Sequence, residues 1–311
     1  MPTRILVGSC SWTDPTLIAC GRFYPPGVTS AEARLRYYAA QFGIVEVDST
    51  YYAPPSARNS VLWAARTPDD FVFNVKAYGL LTHHPARVDR LPRRVLEALP
   101  DEARPKKNVY ARDVPDSELE RLWELHREAL EPLAAAGKLG AVLFQFPPWF
   151  VRSPEHADYL RALPERLPGW PLAVEFRGGG WMAVESAGST LRLLEDLGLA
   201  YVSVDEPQGF ASSTPAIVAA TAHLAVVRLH GRNADTWDAK TRVASDRFKY
   251  LYSDAELEEW VPRVDELARQ ATAVHVLFNN NYEDWGMQNA RRMAHLLDVE
   301  TRPPQTQLEL G

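Results

Sequence analysis

Acids, cations and amides recur in this chain at the ends of short apolar runs, where a folded strand would present them together. Val45-Glu-Val-Asp48 alternates valines with the carboxylates of Glu46 and Asp48, a period of two that puts both acids on one strand face. Similar runs close on Lys76, on Gln145, on Glu175 with Arg177, on Asp205, on His230 with Arg232, and on Asn279. Asp48, Glu175, Asp205 and His230 are of the types that move protons, and Glu175, Asp205 and His230 could equally hold a divalent metal. Lys76, Arg177 and Arg232 suit an anion, since guanidinium forks match carboxylate and phosphate. Asn279 and Gln145 add hydrogen-bonding capacity. Trp12, Tyr51, Tyr52, Trp149, Trp181 and Trp237 fall on expected loops, where aromatic rings can stack on sugars or bases or can simply pack a lid.

Strands must present these groups, and helices must separate the strands. Apolar runs at Arg4 to Ser9, Gly43 to Asp48, Phe71 to Lys76, Leu139 to Phe146, Pro171 to Phe176, Tyr201 to Val204, Leu224 to Leu229 and Ala273 to Phe278 read as strands. Helical periodicity falls at Ala31 to Phe42 behind a Ser30 N-cap, around Asn59 to Arg66, at Ser117 to Ala136 and at Pro154 to Leu167. It returns at Ala187 to Leu197, Ser253 to Arg269 and Trp285 to Leu297. All but one strand is thus followed by a helix, the α/β pattern of a TIM (β/α)₈ barrel. No glycine-rich nucleotide fingerprint follows the first strand, which argues against a doubly wound sheet. Residues 1–298 form the barrel domain, with an insertion at about 82–115 after the third strand, and 299–311 a disordered tail.

Active sites of such barrels lie where the strands end. The last inward positions are expected to be Ser9, Asp48, Lys76, Gln145, Glu175, Asp205, His230 and Asn279, with Glu46, Asn74, Ser203, Arg228 and His275 one step deeper. Buried charges need partners, and the acids Glu46, Asp48, Glu175 and Asp205 are matched by Lys76, Arg177, Arg228 and Arg232. Deep pairs such as Glu46 with Arg228 read as scaffold, and rim residues as function. His83 and His84, in the insertion, read as solvated loop residues.

Bulk composition narrows the classes. A net charge of -6 leaves no overall basic footprint, so nucleic-acid binding would need a local patch. No signal peptide or membrane-length apolar run is evident, and the only cysteines are Cys10 and Cys20, so two free thiols in a reducing cytoplasm are expected.

Gly8-Ser-Cys-Ser-Trp12, Phe23-Tyr-Pro25, Val45-Glu-Val-Asp-Ser-Thr-Tyr51, Phe71-Val-Phe-Asn-Val-Lys76, Thr82-His83, Gln145-Phe-Pro147, Glu175-Phe-Arg177, His230-Gly-Arg232 and Asn279-Asn280 together resemble the YecE-like family, domain of unknown function seventy-two. The resemblance spans roughly residues 4 to 298 and implies a TIM barrel without supplying a reaction. Asp48 departs from it, since asparagine is common there. Gln307-Leu-Glu-Leu310 in the tail resembles a peptide that docks weakly on the replication sliding clamp through Gln307, Leu308 and Leu310, although Gly311 replaces the expected aromatic residue. The residues point first to a cytoplasmic enzyme on an anionic, phosphate-bearing substrate, by hydrolysis or phosphodiester cleavage. Alternatives are a non-catalytic module that binds nucleic acid or a partner through its tail, and glycosidase-like acid/base chemistry.

Overall fold

A computed structural model describes residues 3–238 and 247–299. Eight parallel strands close into a barrel: β1 (Arg4–Ser9), β2 (Ile44–Val47), β3 (Val72–Lys76), β4 (Leu139–Gln145), β5 (Leu172–Glu175), β6 (Ala200–Asp205), β7 (Leu224–Leu229) and β8 (Ala273–Phe278). Closure comes from β1 pairing with β8, in register from Arg4 with Ala273 to Ser9 with Phe278. Around the strands run α1 (Ala31–Ala39), α2 (Ala57–Ala65), α3 (Asp116–Ala135), α4 (Pro154–Arg166), α5 (Ala187–Asp196), α6 (Val261–Gln270) and α7 (Trp285–Leu296). The link from β6 to β7 carries no helix.

Local chemistry accounts for the helix starts. Ser30 accepts from the Ala33 amide at 3.0 Å, and Ser153 from that of His156 at 3.2 Å, so each supplies an acceptor to an otherwise unpaired amide. The stretch expected as one helix from Ser253 to Arg269 is two, Asp254–Glu258 and α6, because Pro262 stands in the first turn of the second, where it cannot prolong a preceding helix. In the insertion, Ala86–Arg87 pairs antiparallel with Asn108–Val109, and a short helix, Arg93–Ala98, buries Val95.

Two packed layers result. One lies between strands and helices and includes Val7, Val45, Phe73, Phe144, Val227 and Phe278. The other fills the barrel with Leu6, Cys10, Ile44, Val72, Leu143, Val202, Val226 and Leu277. Apolar side chains therefore dominate the lower interior, where the buried pair of Asn74 and His275, 3.0 Å apart, sits among them, and the mouth is left to the polar ones. Cys10 and Cys20 are free thiols. Among the described residues no helix is long and apolar enough to cross a membrane.

Candidate functional site

The floor of the barrel mouth is a ladder of charges. Arg228, fully buried on β7, donates to Glu46 Oε1 at 2.6 Å, pairs with Glu175, and reaches Gln145 Oε1 at 3.3 Å. Above it, Arg177 lies with Nε 2.8 Å from Glu175 Oε1 and also pairs with Glu206. Its face covers the Trp237 ring at 5.3 Å. Burial alone would raise the Glu175 carboxyl, but Arg228 and Arg177 outweigh it and hold the group well below the usual range. Removing one member of such a network strands a buried charge, so the ladder locks β2, β5 and β7 together.

His230 completes this floor. Burial, helped by the positive charge of Arg177, lowers its pKa to about 3, so the ring is neutral. Arg177 Nη2 donates to Nε2 at 2.9 Å, which leaves the ring proton on Nδ1. The side-chain amide of Asn279 lies 2.9 Å from Nδ1 and is held in turn by Asn281, which donates to its Oδ1 at 3.3 Å. The imidazole is thus an acceptor committed to Arg177.

Asp48 and Lys76, at the ends of β2 and β3, are different. Neither charged group makes a hydrogen bond or a salt bridge among the described residues, and both line a cavity of about 760 Å³ at the mouth. Burial raises the Asp48 pKa to about 6 against the opposing pull of Lys76. Burial, then the neighbouring Arg228, lowers that of Lys76, whose ammonium lies 4.8 Å from the centre of the Tyr51 ring. Gln145, Arg177, Asn279 and Tyr51 line the same cavity, so six of the residues expected at the site converge there.

The structure moves others away. Asp205 faces outward from β6: its carboxylate takes Arg232 at 2.9 Å and Trp260 Nε1 at 2.7 Å, and ties the barrel wall to the start of α6. Arg232 is spent on this pair and on Glu259 at 2.9 Å. Ser9 also faces outward, with its amide donating to Tyr38 of α1 at 2.9 Å, and Ser203 receives the Ala219 amide at 3.4 Å. Trp12 packs edge-on against Trp63 of α2 at 6.0 Å and is not on the cavity wall, while Trp181 stacks on Phe176 at 4.9 Å. The reading of β1 and β6 is one residue out of phase, because strands buried on both faces carry no alternation to set the parity. Glu206 is the acid that enters the mouth from β6. It receives the Thr214 amide as well as Arg177, and burial lifts its pKa to about 7. The adjacent acids Asp205-Glu206 in the sequence were the signal for it.

Glu175, Asp205 and His230 therefore do not fit a divalent metal: Asp205 points away, and His230 Nε2 is occupied by Arg177. Among the described residues no group of three or more His, Cys, Asp or Glu is placed to hold one. The insertion histidines are packed, not solvated. His83 lies among Phe146, Phe150 and Tyr159, and His84, 2.9 Å from Thr82 Oγ1, lines the cavity. The tail residues Gln307, Leu308 and Leu310 lie outside the described residues.

The family model described as "Protein of unknown function DUF72" matches residues 6–309. The UPF0759 protein YunF of Bacillus subtilis (strain 168) is 33% identical over 300 residues, covering 95% of each chain. A crystal structure of a DUF72 family protein from Thermotoga maritima MSB8 is 30% identical, with a TM-score of 0.74 over 95% of this chain and 99% of its own. Another from Enterococcus faecalis V583 is 25% identical, with a TM-score of 0.75 over 95% and 96% of the two chains.

Proposed function

The chain belongs to the DUF72 family, and on that premise we propose that it is an enzyme acting on a small anionic, phosphate-bearing substrate at the barrel mouth, by hydrolysis or phosphodiester cleavage. Lys76 carries this reading: its ammonium lines the cavity and makes no salt bridge among the described residues, the carboxylates of Glu46, Glu175 and Asp48 acting on it only at longer range. A half-buried ammonium that has a Tyr51 ring face but no carboxylate in direct contact is costly, and a ligand phosphate would supply the close counter-charge. Arg177 is already neutralised by Glu175 and Glu206, so its part is to hold His230 and shape the floor. Asp48, with a pKa of about 6, is ionised at neutral pH yet basic enough to take a proton from an attacking water, which makes it the general base. Asn279, Gln145 and Tyr51 orient the substrate.

Calorimetry with inorganic phosphate tests the binding step. Saturable binding in wild type is expected, lost in Lys76→Gln and kept in Arg152→Gln, an exposed arginine that is not on the cavity wall. Equal affinity in the Lys76 variant would overturn the assignment. Turnover is checked with p-nitrophenyl phosphate and its bis ester: binding without release of nitrophenol from either would refute the catalytic part.

A further inference from the structure

Trp149 is an exposed large aromatic residue, 52% accessible, and it is held in place. Its Nε1 donates to the carbonyl of His83 at 3.0 Å. His83 adopts the left-handed conformation (φ 61°), and its ring is wedged between Phe150 and Tyr159 at 4.9 and 4.6 Å. The indole is therefore fixed by a packed, strained residue while half its surface stays uncovered at the rim of the cavity that Lys76 lines. The ring also meets His84 edge-on at 5.9 Å, and the half left exposed is free for a ligand. It is a platform for a ring of the ligand.

The other lining groups say which kind of ring. Three carboxylates, Asp14, Asp48 and Asp238, line the cavity. Asp14 Oδ1 accepts from the Thr16 amide at 2.8 Å, and Asp238 Oδ1 from Ser212 Oγ at 2.8 Å, which leaves the second oxygen of each without a protein donor among the described residues. Asp48 has no donor at all among them. Carboxylates accept and do not donate, so the site asks for a ligand rich in O–H donors. A nucleobase presents few donors and several acceptors. A sugar presents a hydroxyl at nearly every carbon and an apolar C–H face to lay on an indole.

Resting on the anion reading above, we propose that the ligand is a phosphorylated sugar. Its phosphate meets Lys76, its ring lies on Trp149, and its hydroxyls donate to Asp14, Asp48 and Asp238. The cavity of about 760 Å³ is within the range for a ligand of that size.

Calorimetry on the full chain with inorganic phosphate, ribose 5-phosphate, glucose 6-phosphate, fructose 6-phosphate and adenosine monophosphate decides it. At least one sugar phosphate should bind about 10-fold more tightly than inorganic phosphate, and Trp149→Ala should remove that margin while leaving inorganic phosphate binding unchanged. The proposal is overturned if phosphate binds but no sugar phosphate exceeds it, if the nucleotide binds most tightly, or if Trp149→Ala leaves the margin intact. Failure of inorganic phosphate and every ester to bind would instead refute the anion reading beneath it.

Discussion

Asp48 shows how one side chain can be costly to the fold and useful to the site. Its carboxyl ionises near 3.8 when solvated and near 6 in the fold, because burial penalises the charge more than Lys76 favours it. Between those values the folded chain holds a proton that the unfolded chain has released. Stability from this group therefore falls as pH rises through the window from about 4 to 6, and the penalty is complete above it. Replacing the carboxylate by the neutral isostere in Asp48→Asn should stabilise the protein by roughly 3 kcal/mol at pH 8 and by much less at pH 4. Urea unfolding at the two pH values reads the difference, and an equal effect at both would mean that charge burial is not the cause. The same variant should lose turnover, since an amide cannot take a proton from water.

At the scale of elements, Asp205 and Arg232 are a strap. They join β6, the loop after β7 and the start of α6 through Trp260, in a place where Coulomb attraction and two well-placed donors oppose the cost of burial. Asp205→Ala should leave Trp260 Nε1 without its acceptor and lower the unfolding free energy by roughly 2 kcal/mol, while phosphate binding at Lys76 stays intact. Thermal unfolding followed alongside calorimetry separates the two effects. Lost binding with unchanged stability would return Asp205 to the site.

At the scale of the whole molecule, closure of the barrel depends on backbone approach as much as on side-chain packing. A Cβ on Gly8 would stand 2.2 Å from the carbonyl oxygen of Ile44, so β1 and β2 can adjoin only because residue 8 has none. Those strands meet at Ser9 with Val45, which leaves little ladder to absorb a shift. Gly8→Ala should therefore cost about 3 kcal/mol or more, seen as a lowered urea midpoint or loss of soluble protein; an unchanged midpoint would show that the seam can yield.

What the sequence alone determined was the order of strands and helices, the eight-strand barrel they imply, and the mouth as the place where polar residues collect. Period-two alternation in Val45-Glu-Val-Asp48 and period 3.6 in the helices are local properties, legible without the fold. Six of the residues named from the strand ends and the loops that follow them, Asp48, Lys76, Gln145, Arg177, Asn279 and Tyr51, line the cavity. Which residues of β1 and β6 face inward was decided only in three dimensions, because Gly8-Ser-Cys10 and Tyr201-Val-Ser-Val-Asp-Glu206 are buried on both faces and hold no phase. The same holds for charge. Glu175, His230 and Arg177 look equally reactive in one dimension, yet the fold saturates them against one another and leaves Asp48 and Lys76 unpaired, since pairing depends on distances across the barrel that no sequence spacing records.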